Sequence, residues 1–242
     1  MSQIYECVAC LHQKRARLRP LYCEGCARPE TYSIIDSDGK STEAVWATDT
    51  EYVEPERYPT GDCEFDSLVS GGLVRPCAVT AFGRGGTGKS RSCLRWATHL
   101  GTTLLVSLEM ERGLAIHSAK SARADLAKLA IVESEDTWKE ASQKIGASCI
   151  VYDSFHYSKK QRVLKGTKIP ELCYELGGWA KSTGGIVFLI CHSNKRNEVS
   201  GTTATEHWPD YLLKFAKHGD SEAKITIPKS RYCPTGSCVV TI

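Results

Sequence analysis

Apolar residues in this chain gather into short, nearly unbroken runs rather than strict alternations. The clearest are residues 77–82, 103–108, 147–152 and 186–191. Runs of this kind predict strands buried on both faces, and the spacing between them leaves room for helices. After the first strand, residues 91–100 place Cys93, Leu94, Ala97 and Leu100 on one helical face. Residues 114–128, 138–145 and 172–181 also read as helices, the last ended by Gly184-Gly185. Ahead of the first strand, Phe65, Leu68 and Val69 sit at helical spacing and Gly71-Gly72 stop that short helix. Beyond residue 191 the pattern changes. Residues 211–215 are strand-like, and 223–228 pair with 237–242 as a hairpin turned by Pro234-Thr235-Gly236. The pattern predicts an α/β fold, a mostly parallel sheet flanked by helices with a C-terminal antiparallel hairpin.

Residues 1–35 do not follow this pattern. They are too few for a hydrophobic core, and they carry Cys7-x-x-Cys10 and Cys23-x-x-Cys26. The doubled spacing suits a zinc ribbon, four thiolates around one Zn²⁺ whose binding would supply the folding energy. A redox pair or two disulfides are the other readings of the same cysteines. Lys14, Arg15, Arg17 and Arg19 make the segment locally basic, either as a solvated face or as a contact for nucleic acid. Residues 36–58 are polar, without a sustained period, and read as a linker. The larger domain is expected to occupy 59–242.

Composition adds three points. A net charge of +3 is too mild to demonstrate a nucleic-acid partner, so any basic surface is local. No run approaches the roughly 20 apolar residues of a membrane span and no signal-peptide core opens the chain, so a cytoplasmic protein with no membrane partner is expected. Of the twelve cysteines, the eight outside the N-terminal cluster are scattered, several within apolar runs, as buried small hydrophobes.

The candidate chemistry lies at the ends of the apolar runs. Gly83-Arg84-Gly85-Gly86-Thr87-Gly88-Lys89-Ser90 fits G-x-x-x-x-G-K-S/T between a strand and a helix. In that setting backbone N–H groups curl around phosphates and the helix N-terminus adds partial positive charge. Lys89 is expected to reach the β and γ phosphates and Ser90 to ligate Mg²⁺. Gly83, Gly85, Gly86, Thr87, Gly88, Lys89, Ser90 and Arg91 are the candidate ATP-binding residues. Glu109, following the second run, is either a base for the attacking water or an acid favoured by a helix N-terminus. Asp153 closes the third run, where a carboxylate holds the magnesium shell. His192 closes the fourth, as a phosphate sensor or a structural residue. Two loops are basic: 156–168, with Lys159, Lys160, Arg162, Lys165 and Lys168, and 194–205, with Lys195 and Arg196. Lys229 and Arg231 alternate on a strand and so share a side.

Together these stretches resemble the RadA (Sms) DNA-repair ATPases of the RecA and DnaB-type helicase superfamily. The resemblance rests on the four-cysteine segment, Thr60-Gly61, Phe65-Asp66-Ser67-Leu68, Gly71-Gly72-Leu73, the phosphate loop, and the strands ending at Glu109 and Asp153. Cys191-His192-Ser193-Asn194-Lys195 is similar to that family's G-H-V-T-K, and Glu206-His207 with Asp210 to its E-H-x-x-D. Lys229-Ser230-Arg231-Tyr232 stands where the family has K-N-R-F-G. The resemblance implies a RecA-like ATPase core, with Lys89, Glu109, Asp153, His192, Lys229 and Arg231 as catalytic residues. Glu109 is implied as the base and His192 as the γ-phosphate sensor, with Lys229 and Arg231 acting in trans on a neighbouring subunit. It also implies a hexameric ring around single-stranded DNA, bound through Lys159, Lys160, Arg162, Lys165, Lys195 and Arg196, together with replication or recombination proteins as partners. Ser230 and Tyr232-Cys233 depart from the family's Asn and Phe-Gly. The chain is expected to lack the family's C-terminal Lon-like domain beyond Ile242, as a reduced phage- or plasmid-encoded relative would.

Overall fold

The computed structural model describes residues 3–7, 13–16, 32–35, 53–161, 163, 170–194, 199 and 204–242. The chain divides into two compact units, Met1–Glu54 and Pro55–Ile242. In the first, β1 (Gln3–Cys7) pairs antiparallel with both β2 (Gln13–Ala16) and β3 (Tyr32–Ile35). Cys7 ends β1, while Cys10, Cys23 and Cys26 lie outside the described residues.

The second unit opens with β4 (Arg57–Tyr58), antiparallel to β5 (Leu73–Val74). Residues 57–58, read from sequence as the end of a linker, therefore pair within this unit. Between the two strands runs α1 (Cys63–Leu68), which Asp62 caps by accepting the Phe65 N–H at 3.3 Å. Asp66 accepts the Thr60 N–H and hydroxyl, both at 2.8 Å, and so fixes the approach to α1.

The main sheet contains β6 (Cys77–Gly83), β7 (Thr103–Ser107), β8 (Leu129–Val132), β9 (Cys149–Asp153), β10 (Ile186–His192), β11 (Tyr211–Lys217), β12 (Glu222–Ser230) and β13 (Gly236–Thr241). The spatial order is β13-β12-β11-β6-β10-β9-β7-β8. Pairing is parallel from β8 through β11 and antiparallel across β11, β12 and β13, as the apolar pattern predicts.

The period of two divides each buried strand between two cores. In β10, Ile186, Phe188 and Ile190 enter one core with α2 (Lys89–Leu100) and α3 (Arg112–Ser121). Val187, Leu189 and Cys191 enter the other with α4 (Trp138–Lys144) and α5 (Glu171–Thr183). In the first core Trp96 of α2 stacks on Phe65, ring centroids 4.1 Å apart.

The helix expected over 114–128 is shorter. The Ala124 N–H returns to the Ala119 carbonyl at 3.0 Å around Arg123, which adopts φ 57, and this closes α3. A 3₁₀ turn at Leu126–Lys128 leads into β8, which the pattern did not predict. Its sequence Leu-Ala-Ile-Val is too short to separate from a helix by periodicity. A last short helix, α6 (Ala204–His207), precedes β11.

Candidate active site at the strand tips

Parallel register gathers the candidate residues at one edge of the sheet. Gly83 at the end of β6 lies beside His192 at the end of β10, and Asp153 of β9 lies beside both Ser107 of β7 and Ile190 of β10. Residues separated by tens of positions in sequence are thereby neighbours. The carboxyl ends of the strands of an open α/β sheet are where such folds bind ligands.

The glycine loop joins β6 to α2. Gly86 and Gly88 have φ of 73 and 85, a region that side chains disfavour, and the space a Cβ would occupy at Gly85 and Gly86 is open. The absence of side chains at Gly85 and Gly86 suits close approach of a phosphate to the backbone, while at Gly88 the Ile242 side chain occupies the space a Cβ would need. Lys89 is 6 % exposed, and its ammonium donates to the Gly83 carbonyl at 2.9 Å and the Arg84 carbonyl at 2.8 Å. Burial pushes the Lys89 pKa down, and the nearby Asp153 carboxylate opposes that shift. The Thr87 hydroxyl donates back to the Arg84 carbonyl at 2.9 Å and holds the curl of the loop. Arg91, on the exposed side of α2, is not drawn into this nest.

Ser90 donates its hydroxyl to Asp153 Oδ2 at 2.7 Å. Burial pushes the Asp153 carboxyl up, and the bond from Ser90 works against it. A hydroxyl and a carboxylate side by side form the hard, all-oxygen donor pair that suits Mg²⁺. Among the described residues no cluster of three or more His, Cys, Asp and Glu side chains forms a metal site.

Glu109 follows β7 and turns toward His192, with Oε2 3.4 Å from Nε2. The structure therefore brings the candidate base and the candidate sensor into one pair. Sequence reading missed the next member. His156, in a 3₁₀ turn directly after β9, accepts the His192 backbone N–H at Nδ1 (3.3 Å), and the two rings meet edge-on at 4.9 Å. Burial, then His192, pushes the His156 pKa down, so the imidazole is kept in the neutral form that can accept. A polar aromatic residue so soon after Asp153 was the available signal; only the register reveals its partner.

The basic residues are held unequally. Lys159 is exposed, whereas the Lys160 ammonium lies 2.9 and 3.1 Å from the two Glu175 oxygens on α5. Lys139 approaches the same carboxylate at 3.2 Å. Arg162, Lys165, Lys168, Lys195 and Arg196 lie outside the described residues.

Lys229 and Arg231 both turn onto the segment preceding β11. The Lys229 ammonium donates to the carbonyls of Glu206 (3.2 Å), His207 (2.6 Å) and Pro209 (3.2 Å). Burial, then Arg231, lowers its pKa. Arg231 pairs with Asp210 at 3.1 Å, and Asp210 in turn accepts the Ala78 N–H at 2.9 Å. Asp210 thus ties the start of β6 to the hairpin, a role its motif position did not reveal.

A glycine loop, a half-buried Ser90 bonded to the buried Asp153, and a parallel sheet closed by an antiparallel hairpin define the RecA-like ATPase fold. Solved structures share it: an ATPase domain with a TM-score of 0.62 at 15 % identity, covering 77 % of this chain and 88 % of that one. A KaiC-like protein from the archaeon Pyrococcus horikoshii OT3 has a TM-score of 0.61 at 20 % identity, covering 76 % and 93 %. No family model matches the chain.

In sequence, the chain is similar to the DNA repair protein RadA. It is 28 % identical to that of Campylobacter jejuni over 247 residues, 93 % of this chain and 54 % of the relative. To that of Treponema pallidum it is 24 % identical over 254 residues, 96 % and 54 %. The RadA-like character read from the motifs extends over most of the chain, which spans about half the length of the curated relatives it matches.

Proposed function

We propose that this protein is an ATP-driven motor on single-stranded DNA, a helicase of RadA/DnaB type acting in replication or recombination. The observation that carries the reading is the convergence of Lys89, the Ser90–Asp153 pair and the Glu109–His192 pair on one edge of the sheet, where the basic segment also begins.

In this reading ATP lies along the glycine loop with its phosphates on the loop's backbone N–H groups. Lys89 exchanges the Gly83 and Arg84 carbonyls for phosphate oxygens, which are stronger acceptors for a buried ammonium. Ser90 and Asp153 would hold Mg²⁺, which would supply positive charge against the phosphates. Glu109 accepts a proton from the attacking water, and His192 stands where the γ-phosphate is sensed. Lys229 and Arg231, on giving up the contacts of residues 206–210, complete the site of a neighbouring subunit in a ring. Lys159, Lys160, Arg162, Lys165, Lys195 and Arg196 bind DNA phosphates without sequence preference. At the N-terminus Cys7, Cys10, Cys23 and Cys26 would hold Zn²⁺, which would supply folding energy to a segment too short in sequence for a hydrophobic core.

A second reading is favoured by the Lys160–Glu175 and Lys229 contacts, which restrain groups a motor would move. In it the protein loads on DNA under nucleotide control, without unwinding. Strand displacement on a forked duplex, run beside ATP hydrolysis, separates the two. The motor displaces strands only with hydrolysable ATP, and Glu109→Gln abolishes displacement while retaining ATP binding. DNA-stimulated hydrolysis without displacement would leave the loader.

A further inference from the structure

Glu135 is a buried carboxylate that the nucleotide chemistry does not use. It lies between β8 and α4 and is 5 % exposed. Its Oε2 accepts the Tyr152 hydroxyl at 3.0 Å and the Ser158 hydroxyl at 2.7 Å. The Lys159 backbone N–H reaches Oε1 at 3.0 Å and Oε2 at 3.2 Å. Lys159 contributes only its main chain to this contact. Neutral donors, rather than a cation, offset the desolvation of the charge, which is costly whenever lone pairs go unfilled.

The three donors belong to two elements that matter for the site. Tyr152 immediately precedes Asp153 in β9, and Ser158 and Lys159 open the basic segment. Within that segment Gln161 Nε2 donates to the His156 carbonyl at 2.6 Å and the Ser158 carbonyl at 2.9 Å, folding it into a compact turn. His156, in the same turn, carries the bond to the His192 backbone. A displacement of the basic segment therefore has a hydrogen-bonded route to the strand tips, anchored on its other side by one carboxylate.

We infer that Glu135 is a positioning residue that fixes the origin of the basic segment against β9, so that DNA bound on the segment accelerates hydrolysis at the strand tips. The inference rests on the reading of the protein as a DNA-stimulated ATPase. Glu135→Gln is the informative substitution. The glutamine oxygen can replace Oε2 for the two hydroxyls, which places its NH₂ against the Lys159 N–H. A hydroxyl can rotate to accept, but a backbone N–H cannot, so the Lys159 N–H loses its 3.0 Å acceptor and keeps only the longer 3.2 Å contact, and the lesion falls on the tie to the segment.

The test uses the full chain and measures ATP hydrolysis without and with saturating single-stranded oligothymidylate. Oligothymidylate affinity by fluorescence anisotropy and the melting temperature are recorded alongside. Glu135→Gln is expected to keep its basal rate and to bind oligothymidylate, while the ratio of stimulated to basal rate falls about fivefold. Tyr152→Phe, which removes one donor, lowers the ratio in the same direction, and the double variant falls no further than the sum of the two. Should Glu135→Gln not fold, Tyr152→Phe and Ser158→Ala carry the same readout. An unchanged ratio overturns the inference, as does an equal fall of both rates with a lowered melting temperature, the signature of a merely structural role. If the wild-type protein itself is not stimulated, the inference falls with the reading it rests on, and the wild-type result alone identifies that failure.

Discussion

His156 stands between His192 and the turn that opens the basic segment, and its pKa is pushed below the ordinary 6.5 by burial and by His192. Lys89 pushes in the same direction, and Glu109 opposes both. The neutral ring accepts the His192 N–H. Because the folded pKa lies below the unfolded one, the stabilisation is complete above about pH 6.5 and is lost as pH falls below that toward the folded pKa. Wild-type protein should therefore lose more of its urea midpoint between about pH 7 and about pH 5.5 than His156→Gln, whose amide oxygen accepts the same N–H without titrating. Equal losses in the two proteins would remove His156 from the account. At this scale Lys89, Ser90 and Asp153 were legible because their chemistry is written in local spacing. The partners of Glu109 and His192 were not, since each is supplied by a different strand. The Lys229 and Arg231 pair was legible as a pair, but its contacts with residues 206–210 depend on where the chain before β11 runs.

Helix α2 links the loop chemistry to the core. Its N-terminus presents Lys89 and Ser90 while Cys93, Leu94, Trp96 and Ala97 are fully buried. Trp96 stacks on Phe65 and meets Phe188 and Phe215 at 6.5 and 6.2 Å, so one ring joins α1, α2, β10 and β11. Trp96→Ala should lower unfolding free energy by about 3–5 kcal/mol, measured by urea titration, because the cavity opens where four elements meet. A loss under about 1 kcal/mol would mean that the site collapses freely around the gap. The strands and helices of this core were readable from apolar runs and 3.6-residue spacing. Strand β8 was not, because four apolar residues after a 3₁₀ turn carry no period of their own and are drawn into the sheet by β7. Residues 57–58 paired with β5 for the same reason: a two-residue strand is decided by its partner.

For the whole molecule, the cores on the two faces of the main sheet take up five of the eight scattered cysteines, whereas Cys63 is exposed and Cys233 and Cys238 are half-buried, so the expectation of buried thiols holds for those five alone. Cys77, Cys93, Cys149, Cys173 and Cys191 are buried free thiols among apolar neighbours, and burial raises Cys149 and Cys173 to about 12. These are packing residues, Cys77, Cys149 and Cys191 within apolar strands and Cys93 and Cys173 on the buried faces of α2 and α5. Under the proposed function, the chain's mild net charge assigns DNA binding to local cations, and affinity for single strands should then fall steeply with salt, as titration at rising ionic strength would measure. Coupling of ATP turnover at the strand tips to single-stranded DNA is the core of the proposed function. It is tested most directly by measuring ATP hydrolysis with and without single-stranded DNA while following particle mass by light scattering in the same samples. The account predicts strong stimulation together with ATP-dependent, ring-sized particles. Slow turnover by a monomer, indifferent to DNA, would contradict it.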